Sequence, residues 1–340
     1  MLGNSSHLAE AIYKDLQEIL PNQRKTQRRK LALLVATMLQ ARTANTMELA
    51  AYLPLQTKRI DMRAQWISRF LSNQLVDPKT IMQAIAKPLL QQVTHEKGSL
   101  VLVMDQTHVY AGEELLVIGM RFGSRALPLL WLAKPVQGNI GFEEQKLLLD
   151  EVVKWIPEKT KVVLLADRFY GTADLIAYCQ SKKWDYRLRL KNNLKVHYAL
   201  KECLTGDLEL LGLSFLKDVC ITGVHQQTHI GVIHEMGHKE PWIIAMNQSP
   251  NFYTTLDYSM RWSIEPMFSD FKSRGFGLTD THLIYSERLE RLILVMAIAM
   301  IWAALSGLWD AKSHPLPYEK KQSKKHCAAS SLISSEVCGC

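Results

Sequence analysis

The sequence predicts an α/β fold preceded by an all-helical N-terminal segment, and three features of the 340-residue chain lead to this prediction. Residues 1–95 show helical periodicity with helix-start signals. From residue 100 onward, apolar runs lack alternation, which is typical of strands buried on both faces of a sheet. Amphipathic stretches of helical length lie between these runs, so strands and helices alternate as in an α/β protein.

Several short helices are predicted within residues 1–95. The last of them begins at Asp77-Pro78, an N-cap followed by proline at the first helical position. Another opens with a basic run at residues 23–30 and continues into an apolar face, which suits contact with a phosphate backbone. We interpret residues 1–95 as a helical DNA-binding domain; the alternative is a helical domain that only packs on the rest of the chain. The cations assigned to DNA contact are Arg24, Lys25, Arg28, Arg29 and Lys30.

The next segment carries the predicted sheet and two acids at strand ends. Strands are predicted at 100–104, 115–121, 126–133, 162–166 and 184–190, with helices at 142–155 and 171–183. Three strands, a helix, a strand, a helix and a strand is the order of an RNase H-like fold. Asp105 and Asp167 each follow a buried strand, where open α/β sheets bind ligands. The alternative for each acid is a cap of the next helix.

The predicted catalytic domain spans residues 96–310 and contains a β-rich insertion at about 191–245. Its last helix, at 287–309, is nearly apolar enough to span a membrane. A buried core helix is the preferred interpretation, because a charged run precedes it and no other segment resembles a span. Residues 311–340 are basic and low in apolar content, which predicts a disordered tail.

Composition indicates a soluble globular protein, with 47% hydrophobic and 22% charged residues. Residues 1–95 hold 13 Lys/Arg against 6 Asp/Glu, within a total net charge of +8. Basic ends around a slightly acidic centre suit a polyanion binder with an acidic site, although ordinary solubilising charge is the alternative. The six cysteines form no CxxC pair, so a reducing cytosol is expected.

Four residues stand out near the end of the predicted core. Tyr258, Arg261, Glu265 and Lys272 are separated by three, four and seven positions, which return to about one side of a helix. That side would carry one carboxylate able to hold a metal and two cations able to hold phosphate. The bland alternative is a solvated helix face with ordinary charge pairs.

Pro266 modifies this picture, because proline disrupts a helix interior but is tolerated in a first turn. The helix would then start near Glu265, with Ser263 as its cap. Tyr258 and Arg261 would lie on the turn before it.

These four residues resemble the Tyr-Arg-Glu-Lys signature of a family of bacterial insertion-sequence DDE transposases, and the resemblance covers about residues 100–309. It implies that Asp105, Asp167 and Glu265 are the catalytic acids and hold Mg²⁺, with Mn²⁺ as a possible substitute. Asp105 lies in an Asp-x-Thr setting and Asp167 in an Asp-Arg-Phe-Tyr-Gly setting, close to family variants. Two metal ions would support in-line displacement at phosphorus.

The resemblance also implies contacts to DNA. Tyr258, Arg261 and Lys272 match the signature's DNA-end contacts. Such enzymes stack a flipped base on a tryptophan, for which Trp242 lies at the matching place and Trp262 is the second candidate. Core packing is the alternative for both rings.

The expected function is that of a cut-and-paste DNA transposase that proceeds through a hairpin intermediate. Its expected partners are double-stranded DNA, as terminal inverted repeats and target, and a second copy of the chain in the complex that holds two ends. No membrane association is expected, and the expected location is the bacterial cytoplasm, on the nucleoid. The alternatives are a metal-dependent nuclease of the same fold and an inactive DNA-binding relic.

Overall fold

The computed structural model describes residues 2–198, 201–221, 226–234, 237 and 239–314. The chain divides into two compact units, Met1–Ala297 and Ile298–Cys340. The first unit contains the N-terminal helices, the sheet and the acids singled out above. Most of the predicted tail, from residue 315, lies outside the described residues. The predicted domain boundaries at residues 95 and 310 stay predictions.

Five helices precede the sheet, and two of them begin where the sequence predicts, at the basic run of residues 23–30 and at Asp77-Pro78. The side chain of Asp77 caps the last one, accepting a hydrogen bond from the backbone N–H of Thr80 at 3.0 Å, and Pro78 takes the first helical position. This last helix contacts strands of the sheet. The five helices are α1 (Leu2–Ile19), α2 (Lys25–Ala41), α3 (Thr46–Tyr52), α4 (Ile60–Leu71) and α5 (Pro78–Lys97).

The described residues form a ten-stranded mixed sheet. Its strands, in chain order, are β1 (Ser99–His108), β2 (Glu113–Phe122), β3 (Arg125–Pro135), β4 (Lys161–Ala166), β5 (Asp185–Arg189), β6 (Lys195–Tyr198), β7 (Lys201–Leu204), β8 (Phe215–Ile221), β9 (Gln226–Ile233) and β10 (Trp242–Met246). Their spatial order is β3-β2-β1-β4-β5-β10-β9-β8-β6-β7. The chain therefore has the mixed α/β architecture that the sequence predicts.

Parallel pairing is found at the centre of this sheet, where β4 lies between β1 and β5 and is parallel to both. Strands β1, β2 and β3 form an antiparallel meander. The prediction that β1 ends before Asp105 was wrong. Pairing with β4 stops at Met104, but pairing with β2 continues to His108, so Asp105 lies inside the strand.

The segment predicted as a β-rich insertion extends the same sheet. Strand β10 pairs with β5 on one side and with β9 on the other, both antiparallel. Strands β8, β6 and β7 follow outward from β9. The insertion therefore prolongs the sheet from its central strands to one edge.

Four longer helices follow the first strands, and their bounds are α6 (Phe142–Val153), α7 (Ala173–Ser181), α9 (Ile264–Phe271) and α10 (Ser286–Ser313), with a short α8 (Phe252–Leu256) before α9. Pro266 occupies the first turn of α9, as predicted. The predicted cap was wrong: Ser263 has a helical backbone and its side chain makes no capping hydrogen bond, because a 3₁₀ segment, Asp257–Ser263, leads directly into α9.

Helix α10 is long and apolar enough to cross a membrane by length and composition, and half of its most apolar window is buried within the protein. In the first unit, Glu290 accepts a hydrogen bond from the backbone N–H of Ala133 at 3.0 Å. The Arg291 side chain donates to the carbonyls of Val76 and Leu71 at 3.0 and 3.1 Å. These contacts support a core helix. In the second unit, described for residues 298–314, His314 hydrogen-bonds Asp310 at 3.0 Å.

Candidate active site

Asp105 and Asp167 lie on neighbouring parallel strands at equivalent positions. Met104 of β1 is in register with Ala166 of β4, and each acid is the next residue in its chain. Each carboxylate accepts a hydrogen bond from the following backbone N–H, that of Gln106 at 2.9 Å and that of Arg168 at 2.6 Å. The two acids predicted from strand ends are therefore side by side where the parallel pairing of β1 and β4 ends.

Arg261 connects the third acid to the first. Its guanidinium donates to Asp105 Oδ2 at 3.0 Å and to Glu265 Oε1 at 2.8 Å. The Arg261 side chain is only 11% exposed, whereas that of Glu265 is 60% exposed. Because Glu265 lies in the first turn of α9, one buried cation links the sheet to that helix.

Burial raises the pKa of the Asp105 carboxyl from 3.8 to about 6. The Arg261 guanidinium and the N–H of Gln106 oppose this rise, while the charges of Asp167 and Glu265 add to it. The positive charge of Arg261 thus does not offset the effect of burial on the Asp105 carboxylate. A further cation at this place would favour its charged form.

This raised pKa predicts how stability changes with pH. The folded-state pKa lies above the unfolded one, so the folded protein holds a proton that the unfolded chain has lost between about pH 4 and 6. We expect this group to lower the free energy of unfolding by about 3 kcal/mol as pH rises from about 4 to 7. Urea unfolding in EDTA across that pH range would compare the wild type with Asp105→Asn. The free energy of unfolding of the variant, relative to that of the wild type, should increase by about 3 kcal/mol as pH rises. A difference that is constant with pH would contradict the assignment.

Gln106 and Tyr170 form a hydrogen-bonded support beneath the acids that the sequence interpretation missed. The Tyr170 hydroxyl donates to Gln106 Oε1 at 3.2 Å, and the same oxygen accepts from the N–H of Ile140 at 3.0 Å. The Gln106 amide donates to Glu114 at 3.2 Å. Gln106 and Tyr170 each lie within three positions of a predicted acid, and this proximity in sequence is the feature that could have identified them.

Tyr258 and Trp242 are buried, and both belong to an apolar cluster with Ile233, Ile244 and Met246. Trp242 is 1% exposed, and its ring contacts Tyr258 and Trp262 edge to face, with centroids 5.2 and 5.4 Å away. This arrangement corrects the assignment of Trp242 to a flipped base, since a ring must be accessible to stack on one. Trp262, at 36% exposed, is the accessible ring of the group.

The polar atoms around Arg261 are not all satisfied. Within the described part of the chain, the hydroxyls of Tyr258 and Ser263 and Nε of Arg261 are buried without a hydrogen-bond partner. Burial also raises the pKa of the Tyr258 hydroxyl, so it stays a neutral donor. Buried orphan donors beside a buried cation suit an incoming polar or anionic group.

The other predicted DNA contacts are Lys272 and the basic run at the start of α2. Lys272 ends α9, and partial burial lowers its pKa, an effect that Glu114 opposes. Arg28 is used internally: its guanidinium donates to the carbonyl of Leu20 at 2.8 Å. The remaining cations of the basic run are exposed at the start of α2; they are Arg24, Lys25, Arg29 and Lys30.

The donor chemistry of this site fits Mg²⁺, since three carboxylates supply the oxygen ligands that this ion prefers. Among the described residues, however, no group of three His, Cys, Asp or Glu side chains is gathered closely enough to hold one ion. Arg261 instead compensates Asp105 and Glu265. The residues are therefore suitable ligands, held here in an arrangement with a guanidinium between two of them.

Comparison with known protein families adds to this geometry. Residues 142–302 match the transposase DDE domain. The match includes Asp167 and Glu265, begins after Asp105 and covers just under half of the chain. It supports a DDE transposase family and, with it, an enzyme of the transposase or nuclease class that acts on DNA. DDE transposases normally use a divalent metal.

No curated protein matches the chain. Among solved structures, it is similar to the Marinitoga piezophila Argonaute in complex with 5′ OH guide RNA and target DNA, at 13% identity and a TM-score of 0.24. That similarity covers 55% of this chain and 30% of that one, so the chain spans less than a third of the Argonaute's length. A likeness at this TM-score carries no conclusion about function.

Proposed function

We propose that this protein is a metal-dependent DNA transposase of the insertion-sequence type, which cuts element ends and joins them to target DNA. The observation that carries this proposal is that three acids distant in sequence lie in one region of the fold, two of them linked through Arg261. Asp105 and Asp167 are neighbours on parallel strands, and Arg261 joins Asp105 to Glu265. The transposase DDE domain match over residues 142–302 supports the same class.

The strand order supports an RNase H-like core within this proposal. An antiparallel β1–β2–β3 meander is followed by β4 and β5, which continue the sheet in parallel from β1. Helices α6 and α7 connect β3 to β4 and β4 to β5. The proposed acids follow the ends of the parallel pairing, where sheets of this kind bind ligands.

In this proposal, Asp105, Asp167 and Glu265 hold Mg²⁺, and Mn²⁺ can replace it. When bound, two such ions would activate the attacking water or 3′-hydroxyl and stabilise the leaving oxygen in phosphoryl transfer. The protein's own contribution is to fix the acids. Gln106 and Tyr170 hold the strand ends in place, and Arg261 supplies the charge that keeps Asp105 and Glu265 close despite their repulsion.

Recognition of DNA is assigned to the exposed cations at the start of α2 and to the signature residues near the acids. Exposed Arg24, Lys25, Arg29 and Lys30 on α2 would contact the phosphate backbone of the terminal inverted repeats. Tyr258 and Lys272, with Arg261, complete the proposed Tyr-Arg-Glu-Lys signature around the cleaved end. Two chains would act together as a homodimer on two ends, in the bacterial cytoplasm on nucleoid DNA.

The test is a cleavage assay with duplexes that carry the ends of the element flanking the gene. We expect a 3′-hydroxyl nick in Mg²⁺ and none in EDTA, followed by a slowly migrating hairpin on a denaturing gel. Joining to a supercoiled target plasmid would complete the reaction. The same assay with a scrambled end sequence is the matched control.

Two other outcomes of this assay would contradict the transposase proposal. Unspecific degradation of both duplexes in Mg²⁺ would favour a nuclease of the same fold. Tight binding of the end duplex without any cleavage would favour an inactive DNA-binding relic.

A further inference from the structure

An open cavity of about 290 Å³ lies beside Asp167. Two loops form it: one follows β4 and the other follows β5, the next parallel strand in the sheet. The first loop begins directly after Asp167, whose carboxylate accepts the N–H of Arg168 at 2.6 Å. The lining residues are Arg168, Phe169, Lys191, Asn192 and Asn193.

The aromatic ring of this cavity faces solvent. Phe169 is 44% exposed, whereas the next residue, Tyr170, is fully buried. Two cations flank the Phe169 ring, with Arg168 Cζ at 5.9 Å and Lys191 Nζ at 5.7 Å from its centroid. An accessible ring with cations at its border combines a stacking surface with charges for phosphate.

Close backbone contacts hold the two loops in position. A Cβ at Gly171 would lie 2.0 Å from the carbonyl oxygen of Arg189, so only glycine allows the Phe169 loop to pack this closely on the end of β5. The carbonyl of Asn192 accepts the N–H of Gly206 at 2.8 Å, and the N–H of Leu190 donates to Ile243 at 2.8 Å. The cavity is therefore formed before any ligand arrives.

The charges and amides of the cavity narrow the class of ligand. Arg168 is paired with Glu240 at 3.3 Å, and Arg189 lies 3.7 Å from the same carboxylate. In the part of the chain that the structure describes, Lys191 has no carboxylate partner and the side-chain amides of Asn192 and Asn193 make no hydrogen bond. One uncompensated cation and two amides that both donate and accept are suited to a phosphate and a base edge.

We propose that this cavity binds one unpaired DNA nucleotide next to Asp167. The base would stack on Phe169, the Lys191 ammonium would hold its phosphate, and the asparagine amides would contact the base edge. An unpaired nucleotide has the free face that stacking requires, whereas a paired base in a duplex does not. The proposal rests on the proposed action on DNA and adds a binding site that uses neither Trp242 nor Trp262.

The test measures binding in EDTA, so that cleavage plays no part. Fluorescence anisotropy would compare three short duplexes at one salt concentration: fully paired, with one unpaired thymidine, and with an abasic residue in place of that thymidine. We expect the wild type to bind the unpaired thymidine roughly 5- to 100-fold more tightly than the abasic duplex. In a Trp262→Ala background, which removes the other accessible ring considered for stacking, Phe169→Ala should remove this preference and Phe169→Trp should retain it.

Two further variants serve as comparisons. One tests the contribution of the Lys191 charge to binding, and the other controls for the removal of an exposed aromatic ring elsewhere. Lys191→Ala should weaken binding of all three duplexes and reduce the dependence of affinity on salt. Tyr253→Ala, which removes an exposed ring on α8, should leave the thymidine preference unchanged.

Equal binding of the unpaired and abasic duplexes by the wild type would overturn the nucleotide site while leaving the transposase proposal intact. A preference that survives when both Phe169 and Trp262 are replaced by alanine would also overturn it. Absence of binding to every duplex would remove both proposals together.

Discussion

Asp105→Asn is expected to abolish DNA cleavage while leaving the binding of element ends within about threefold of the wild type. Asparagine keeps the shape of the side chain and can still accept from the N–H of Gln106 and from Arg261. It loses the negative charge that a divalent cation requires of its ligand. Metal-ion catalysis contributes several kcal/mol to barrier lowering, so we expect a loss of about 10³-fold or more in the cleavage rate.

The same loss is expected for Asp167→Asn and Glu265→Gln, because all three acids serve one reaction. Asp150→Asn is the matched control. Asp150 is a carboxylate on α6 that pairs with Lys182 at 2.8 Å and accepts from the Tyr178 hydroxyl at 2.9 Å. Its replacement should leave the cleavage rate within about twofold of the wild type, since surface ion pairs contribute little.

Two measurements are needed for each variant: single-turnover cleavage in Mg²⁺ and anisotropy binding in EDTA. Thermal unfolding would confirm that Asp105→Asn is folded, and the raised pKa of Asp105 predicts no loss of stability from removing its charge near neutral pH. Cleavage by Asp105→Asn within tenfold of the wild-type rate would contradict the catalytic assignment. So would a loss of end binding in a folded variant.

Much of the architecture could be predicted from local patterns. The apolar runs at residues 100–104 and 162–166 predict buried strands, and these became adjacent parallel strands, β1 and β4. Asp105 and Asp167 follow those runs, so their proximity follows from the sheet. The Asp77-Pro78 pair marks the start of α5 equally well. In each case a signal within a few residues determines the outcome.

Features that depend on distant partners could not be predicted. Arg261 and Asp105 are 156 positions apart, so spacing could pair Arg261 with Glu265 but could not reveal its second acid. The bond between Gln106 and Tyr170 spans 64 positions and depends on the same sheet register. The predicted end of β1 was also wrong, because the pairing of β1 with β2 continues to His108 whereas its pairing with β4 stops at Met104.

Trp242→Ala is expected to destabilise the protein by about 3–5 kcal/mol, the usual effect of truncating a fully buried aromatic side chain. Trp242 belongs to a five-residue apolar cluster and contacts the rings of Tyr258 and Trp262. Urea unfolding followed by far-UV circular dichroism would measure the change. Trp262→Ala is the matched control and should have a smaller effect, because that ring is already 36% exposed.

The stability that Trp242 contributes to the fold also indicates which tryptophan can stack on a DNA base. Stacking on a base is worth about 1–3 kcal/mol, less than the 3–5 kcal/mol by which burial of Trp242 stabilises the fold. Trp242 would therefore lose more by leaving the core than it gained on a base, whereas Trp262 can stack without that loss. We expect Trp262→Ala to weaken hairpin formation without unfolding the protein. If the free energy of unfolding of Trp242→Ala lies within about 1 kcal/mol of the wild-type value, the core role is wrong. Trp242 then becomes the stacking candidate again.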